Sequence, residues 1–524
     1  MIKNILIANR GLPAIKFLMS IKEWSLKNNI DIKVWGIVTE LDMISNYKYI
    51  DILDNHIFSK NLDIFMDIDG IIKICIENNI ESVWPGWGYL SEESEFSKRL
   101  EENKIIFIGP SYNSLKLLGD KIECMAMADK LNVPQLAWSK KECFDLDEIK
   151  YFSKKIGLPV ILKSSNGGGG KGIRPLYNIN DLEETINQIK NESSGGIFVM
   201  KLAQNCKHIE IQIVSDGNQV MALGSRDCSL QRRRQKLVEE APASFVPQNL
   251  LNIMEESAIK IVNHVGLKGL CTAEFLLEID DQENYTVSFM EINPRLQVEH
   301  IVTETIFDLN LPSIQVKIAS GIKLSEMSEL SNPKINGHAV SCRINSEDPY
   351  SKFKPCTGYI KNIEFNCSRD NWGYFSVNNN CRINSSVDNQ FGHLVAWGKS
   401  RDEALIKMKL MLKNLNIDSD MPNTANFLKT IMTNQVFQKE EHNVNWLESV
   451  DHKQEPNSIE LLGSMILRAH KRYQDDLAFK DELLKNGHLD YQRYMNFEYY
   501  IESVNQNILY NLTISFDNQN IILK

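Results

Sequence analysis

No apolar run in this 524-residue chain approaches the length needed to cross a bilayer, so a membrane-spanning reading falls away. The ten cysteines show no C-x-x-C and no paired spacing, which disfavours both a disulfide framework and a cysteine zinc site. Scattered thiols of this kind suit a reducing compartment. A cytoplasmic location is the expectation, with an organellar parent left open. There is no excess of positive charge either. The formal net charge of −10 disfavours nucleic acid as a global partner, while local basic clusters remain free to hold small anions. Neither G-x-G-x-x-G after the first strand nor the Walker pattern G-x-x-x-x-G-K-[ST] occurs. No internal repeat, extended low-complexity tract, or signal or transit peptide is read in the chain as given.

What is present is ordinary in bulk: 43% hydrophobic and 24% charged residues, in a chain long enough for three or four domains. From the start to about residue 110, apolar strands (3–8, 32–38, 81–86, 104–109) alternate with helical patterns, which implies a parallel, doubly wound sheet. The first helix should present Ile15, Leu18, Met19 and Ile21 on its apolar side. Asn9-Arg10-Gly11 and Pro85-Gly86-Trp87-Gly88 fall at strand-to-helix turns, where either ligand binding or tight packing is served. Residues 111–153 read as helical and carry Lys121.

A strand at 157–163 then runs into Ser-Ser-Asn followed by glycines 167–170, with Lys163 and Lys171 on either side. Four successive glycines leave backbone N–H groups free to wrap phosphates, and the flanking lysines favour a phosphate lid over a plain linker. Residues 197–203 form an apolar strand that could line a purine pocket, and His208, Glu210 and Gln212 share one face of the next strand. Residues 226–240 are strongly basic and then acidic, between apolar strands, which suits an anion site better than a solvated helix face. Arg343, inside an apolar strand, requires a partner. Short strands fill 358–400, helices 402–415 and 423–433, a polar linker 451–457, a charged helix the stretch from 458, and two strands 507–524.

The apolar-rich run 272–279 and the stretch 290–300, with the polar turn 280–284 between them, read as a hairpin. In such a hairpin Glu274 is expected opposite Glu291, with Asn293 on the same face as Glu291. Like charges facing across a ladder destabilise it unless a cation intervenes, and all-oxygen donors suit Mg²⁺ or Mn²⁺. Beyond Pro294, Arg295, Gln297 and Glu299 recur at alternate positions, fit to hold an anion and a base. The alternative at this point is a polar strand end with solvated charges.

The motifs GGGGKGIR (167–174), RDCSLQRRRQKLVEEAPA (226–243), FMEINPRLQVEH (289–300) and GHAVSCRIN (337–345) resemble the biotin carboxylase family, from residue 5 to about 449. SVWPGWG (82–88), IFVMKLA (197–203), LNLPSIQ (309–315), NWGYFSV (371–377) and DNQFGHLVAWG (388–398) resemble its eukaryotic, multidomain acetyl-CoA carboxylase branch. The resemblance implies an α/β and α+β molecule of the ATP-grasp fold. Its expected parts are a Rossmann-like domain (1–120), a helical connector (121–155), a mobile lid (156–225), and a central and C-terminal mixed sheet and helix domain (226–450). The start of a region leading to a biotin carrier (451–524) would follow.

It also implies the chemistry: MgATP phosphorylates bicarbonate to carboxyphosphate, whose CO₂ passes to biotin N1′. By resemblance, Lys121, Lys163, Gly167, Gly168, Gly169 and Gly170 hold ATP phosphates, and Lys201 and Leu202 border the adenine. His208 and Gln231 lie near the ribose and phosphates, and Glu274, Glu291 and Asn293 bind the metal. Lys236, Arg295, Gln297 and Val298 hold bicarbonate, Glu299 is the base, and Arg343 steadies the biotin enolate oxygen. No biotinyl-lysine motif of the A/V-M-K-M kind is present, and Met408-Lys-Leu-Met411 lies in a helical pattern. Biotin is therefore expected on another domain or chain, with a carboxyltransferase as a further partner in the same polypeptide and a homodimer possible.

Three departures stand out: Arg234 in the position of the family histidine, Ile301 in place of proline after Val-Glu-His, which implies a looser turn, and Trp87 with Tyr89, which mix branch habits. Two rivals remain beside the resemblance. One is another bicarbonate-phosphorylating ligase of carbamoyl-phosphate type, and the other a non-catalytic nucleotide-binding regulator.

Overall fold

A computed structural model describes every residue except 166–171, 233, 281, 283, 385–387, 451–457, 486–496, 506–507, 518–519 and 524. Glycines 167–170, Lys171 and the 451–457 linker therefore lie outside the described residues. The chain divides into two compact units, Met1–Val450 and Asp451–Lys524. Among the described residues, no helix is long and apolar enough to cross a membrane.

The first unit begins with five parallel strands: β1 (Asn4–Ile7), β2 (Lys33–Thr39), β3 (Asn55–Ser59), β4 (Ser82–Trp84) and β5 (Ile106–Phe107), in the order β3-β2-β1-β4-β5. Helix Gly11–Asn28 buries Ile15, Leu18, Ile21 and Trp24, whereas Met19 is exposed. The buried stripe runs through positions 14, 18 and 21, and position 19 falls past its edge at about 100° per residue.

The expected helix over 111–153 is interrupted. Helices Tyr112–Gly119 and Lys121–Lys130 are followed by an extended stretch before helix Leu146–Ile156. Pro134 biases Val133 away from helical geometry. The stretch instead pairs through Trp138 and Cys143 with Met200 and Ile197. Asp120 caps the second helix by accepting from the N–H groups of Ile122 and Glu123.

Strands β6 (Val160–Ser164), β7 (Ile173–Leu176) and β8 (Ile197–Lys201) form a small antiparallel sheet, ordered β7-β6-β8, within the stretch expected to be a lid. Strands β9 (Cys206–Asp216) and β10 (Val220–Arg232) belong to the large sheet, because β9 pairs with the site hairpin along its whole length. That antiparallel sheet continues with β11 (Gln235–Ala241), β12 (Lys268–Ile279), β13 (Tyr285–Asn293) and β14 (His338–Asn345). Its order is β13-β12-β9-β10-β11-β14, then Gln390–Gly398 and Asn371–Phe375. Strands Gly358–Glu364, Cys381–Ile383 and Asn416–Ser419 make a further small sheet beside helices Arg401–Asn414 and Ala425–Thr433. Met408 and Met411 are buried in the first of these helices, as core residues.

The second unit consists of helix Ser458–Lys485 and a three-stranded meander, Phe497–Asn505, Ile508–Asp517 and Asn520–Leu523. The sequence pattern implies only two strands there. The first strand, Phe497–Asn505, is the addition.

One buried ion pair ties helix Arg401–Asn414 to the large sheet. The Glu240 carboxylate accepts from Arg401 Nε (2.7 Å) and Nη2 (2.9 Å) and lies 3.0 Å from His338 Nε2. Burial would push this carboxyl up, but His338 and Arg401 bring it down to about 2. A depressed folded-state value contributes stability that is present above the unfolded value and lost as pH falls toward the folded one. Wild-type stability should therefore decline through this group between the ordinary value of 4.5 and about 2. Glu240→Gln should be less stable near neutrality and show a shallower acid limb. Urea midpoints measured against pH test this, and an unchanged acid slope would refute it.

Candidate active site

The site grows from the β12–β13 hairpin. Its register runs symmetrically about the turn to Phe275 opposite Phe289, and a bulge at Met290 then brings Glu291 opposite Glu274, as expected of this hairpin, and Asn293 opposite Thr272. Glu291 opens onto the cleft, and its carboxyl is pushed up, by desolvation first and then by the charge of Glu274. Two lysines from other elements act on Glu291 and draw its carboxyl down. Lys163, from the end of β6, is lowered to about 8 by burial, with Arg234 and Lys121 adding to the drop and Glu291 opposing it. Lys121, at the start of its helix, is lowered by burial, with Glu291 again opposing. The hairpin's paired carboxylates and the two lysines thus meet in one cleft.

Beside them lies a denser cluster. Lys236 Nζ donates to Glu299 Oε1 (2.6 Å), Glu274 Oε1 (3.1 Å) and Glu210. Burial opposes its charge, but these three carboxylates hold it well above the ordinary lysine range. Glu299 is gripped at both oxygens, because Arg343 Nη2 donates to Oε2 at 3.0 Å. Burial alone would raise the Glu299 carboxyl, yet Lys236, Arg343 and Arg226 keep it well below the usual range. Arg343 also pairs with Glu239, which answers its need for a partner in an apolar strand. Lys236 and Glu239 reach the same side because β11 carries an extra residue. Leu230 faces Val238 but Gln231 faces Lys236, so Leu237 is bulged.

Pro294 ends the hairpin strand, so Arg295, Gln297 and Glu299 do not continue it. Gln297 and Glu299 nevertheless point into the buried cluster, where Gln297 Nε2 donates to Glu274 Oε1 at 2.9 Å. Arg295 turns to Glu92 from the N-terminal domain, and Val298 is half-buried. The following turn is not loosened by Ile301. The His300 and Val302 N–H groups close it onto Gln297 and Glu299, and Ile301 is buried in helix His300–Phe307. His208 is buried 3.0 Å from Glu274, under the hairpin. Gln231 is buried opposite Lys236. Lys201 and Leu202 stand at the end of β8, where Lys201 Nζ donates to the Gly157 carbonyl at 2.9 Å.

Arg226, Glu239 and Glu92 also join the site, although sequence reading gave them no role. The face shared by His208, Glu210 and Gln212, the charge run 226–240 and the partner required by Arg343 were the signals pointing toward this network.

A cation fits one side of Glu274 better than the other. Among the described residues, His208, Glu210 and Glu274 bring ligand atoms within 4.8 Å of one another, but Lys236 already occupies that side. On the β13 side, Glu274, Glu291 and Asn293 offer side-chain oxygens at adjoining positions, a donor type that suits Mg²⁺ or Mn²⁺.

The comparisons agree along the chain. Residues 1–115 match the family profile "Biotin carboxylase, N-terminal domain", residues 120–327 "Carbamoyl-phosphate synthase L chain, ATP binding domain", and residues 341–449 "Biotin carboxylase C-terminal domain". The acetyl-CoA carboxylase of Schizosaccharomyces pombe is 32% identical across 98% of this chain, which covers 25% of that protein. The mitochondrial acetyl-CoA carboxylase of Saccharomyces cerevisiae is 33% identical across 99%, covering 26% of it. This chain thus spans about a quarter of the length of the curated relatives it matches. Among solved structures, the Campylobacter jejuni biotin carboxylase with a β,γ-ATP ligand has 32% identity and a TM-score of 0.80, over 86% of this chain and 99% of that one. The biotin carboxylase domain dimer of Hydrogenobacter thermophilus 2-oxoglutarate carboxylase, with MgADP, ADP and bicarbonate, has 31% identity and a TM-score of 0.79. That likeness covers 87% of this chain and 100% of that one.

Proposed function

The chain belongs to the biotin carboxylase family and has its ATP-grasp fold, and on that premise we propose how its own residues carry out ATP-dependent carboxylation of biotin. Lys121, Lys163 and the glycines 167–170 hold the ATP phosphates by charge and backbone N–H groups. Glu274, Glu291 and Asn293 would hold a divalent cation, which when bound would supply charge stabilisation to the phosphoryl group. Lys201 and Leu202 border the adenine, and His208 and Gln231 support the nucleotide side of the cluster.

Lys236, Arg295, Gln297 and the Val298 backbone seat bicarbonate. Glu299 takes its hydroxyl proton as a bicarbonate oxygen bonds the γ-phosphorus and the β–γ bridging bond breaks, releasing ADP. Carboxyphosphate then splits at its C–O bond. Phosphate takes the proton of biotin N1′, the nitrogen bonds CO₂, and Arg343 steadies the charge on the ureido oxygen. The observation that carries this reading is the junction of two half-sites at Glu274. A cation and phosphate cleft adjoins a clamp in which Lys236 and Arg343 grip one buried base.

The relatives' name supports the wider reading. The carboxyl group formed here would go to acetyl-CoA, as the first half of the acetyl-CoA carboxylase reaction in fatty-acid synthesis. Biotin would arrive on a carrier domain of the same polypeptide, with a carboxyltransferase and a second copy of the chain as partners. The carbamoyl-phosphate profile over 120–327 favours one rival, a bicarbonate ligase that uses ammonia. The deciding experiment supplies MgATP and bicarbonate with either free biotin or ammonia. ADP release should rise with biotin and stay at background with ammonia; the reverse pattern would overturn the proposal.

A further inference from the structure

Arg226 is fully buried between the clamp and the hairpin, and each of its five N–H donors has an acceptor. Nε donates to Glu210 Oε2 (2.9 Å). Nη1 donates to Gln212 Oε1 (2.8 Å) and Thr303 Oγ1 (2.9 Å), and Nη2 to Thr272 Oγ1 (2.9 Å) and Gln297 Oε1 (3.0 Å). The acceptors come from two adjacent strands, β9 and β12, from helix His300–Phe307, and from the turn before that helix. The guanidinium therefore has one orientation that satisfies everything around it.

The consequence falls on Gln297. An arginine has donors and no acceptor, so the amide atom facing it must be oxygen. The amide nitrogen is thereby aimed the other way, onto Glu274 Oε1 at 2.9 Å. A flipped amide would lose the Arg226 bond, set its oxygen against Glu274 Oε1 and repel an anion, so Arg226 and Glu274 hold this polarity from its two sides. Thus we propose that Arg226 is a positioning residue for the bicarbonate site: it fixes the polarity of the Gln297 amide so that an N–H donor always faces the bound anion. This rests on the bicarbonate site proposed above. Glu210 gives Arg226 its counter-charge and also pairs with Lys236, so charge and orientation must be separated in any test.

Arg226→Lys makes that separation. A lysine keeps the positive charge beside Glu210 but has three donors on a single atom, and cannot span Thr272, Gln212 and Gln297 together. The full-length chain is assayed for biotin-dependent ADP release with bicarbonate and ATP varied in turn. Arg226→Lys should raise KM for bicarbonate at least about tenfold and leave KM for ATP within about twofold. Gln297→Ala should do the same. The double variant should be no worse than Gln297→Ala alone, because the arginine acts through the glutamine. Additive effects in the double variant, or equal rises in both KM values, would overturn the inference. If Arg226→Lys does not fold, Thr303→Val, which removes one Nη1 acceptor and keeps the Glu210 pair, should raise the bicarbonate KM several-fold without moving the ATP KM. An unchanged bicarbonate KM there would also overturn it. A wild-type chain with no bicarbonate-dependent ADP release would instead count against the proposed function itself.

Discussion

Glu299→Gln should lower biotin- and bicarbonate-dependent ADP release by about 10²–10⁴-fold while the protein remains folded. The loss follows from the proposed role, since an amide cannot accept the bicarbonate proton. The fold survives because neither clamp is emptied. Lys236 retains Glu210 and Glu274, and Arg343 retains Glu239. The geometry also bears on how a carboxylate held well below its usual range can act as a base. That depression is produced by Lys236 and Arg343, the cations proposed to serve the incoming anion and biotin. As they turn to those ligands, Glu299 loses its compensating charge while staying buried, and its basicity rises. The enzyme would then have a strong base only when substrate is present. ADP release measured beside a thermal melt tests the point. Activity within tenfold of wild type would remove Glu299 from the reaction.

Some of this was legible in the sequence for plain reasons. The turn at 280–284 determines the hairpin register as far as Phe275 opposite Phe289, but spacing alone would carry Glu274 to Met290; the bulge at Met290 is what brings Glu291 opposite Glu274. The alternating strands and helices of the first hundred residues likewise specify a parallel sheet. What could not be read comes from other parts of the chain. Glu210, Arg226, Glu239 and Lys236 come together through pairing of β9, β10 and β11, and a bulge at Leu237 switches which residues share a face. A period-2 reading places Lys236 and Glu239 on opposite sides. Arg295 meets Glu92, 203 positions away, a contact that no local pattern encodes. The pairing of β9 with β12 was hidden for a related reason. Residues 206–225 look like any apolar strands until β9 finds β12. The metal and anion character of the site was visible in residue types and spacing, whereas bicarbonate and biotin came only through family resemblance.

Lys236→Met should abolish activity and also destabilise the fold, by about 3–5 kcal/mol, as expected when one member of a buried charge cluster is removed. Lys236 stands among three buried carboxylates, with an unpaired negative charge left wherever no other cation reaches. Glu210 keeps Arg226 and Glu274 keeps His208, whereas Glu299 keeps only its second oxygen's bond to Arg343, a cation it shares with Glu239. Glu299 is therefore the carboxylate most exposed by the loss. The double variant Lys236→Met with Glu299→Gln should recover most of the stability and none of the activity. Two further consequences separate this from simple loss of packing. The deficit of the single variant should shrink on mild acidification, because protonating the orphaned carboxylates relieves their repulsion. It should also shrink as a divalent cation is added, if Glu274 and Glu291 hold that cation as proposed. Urea midpoints of the wild type and the single and double variants, at two pH values and with or without Mg²⁺, contain the whole comparison. A single variant as stable as wild type would mean that Lys236 does not neutralise the cluster. A double variant no more stable than the single one would mean that Glu299 is not the charge it restrains.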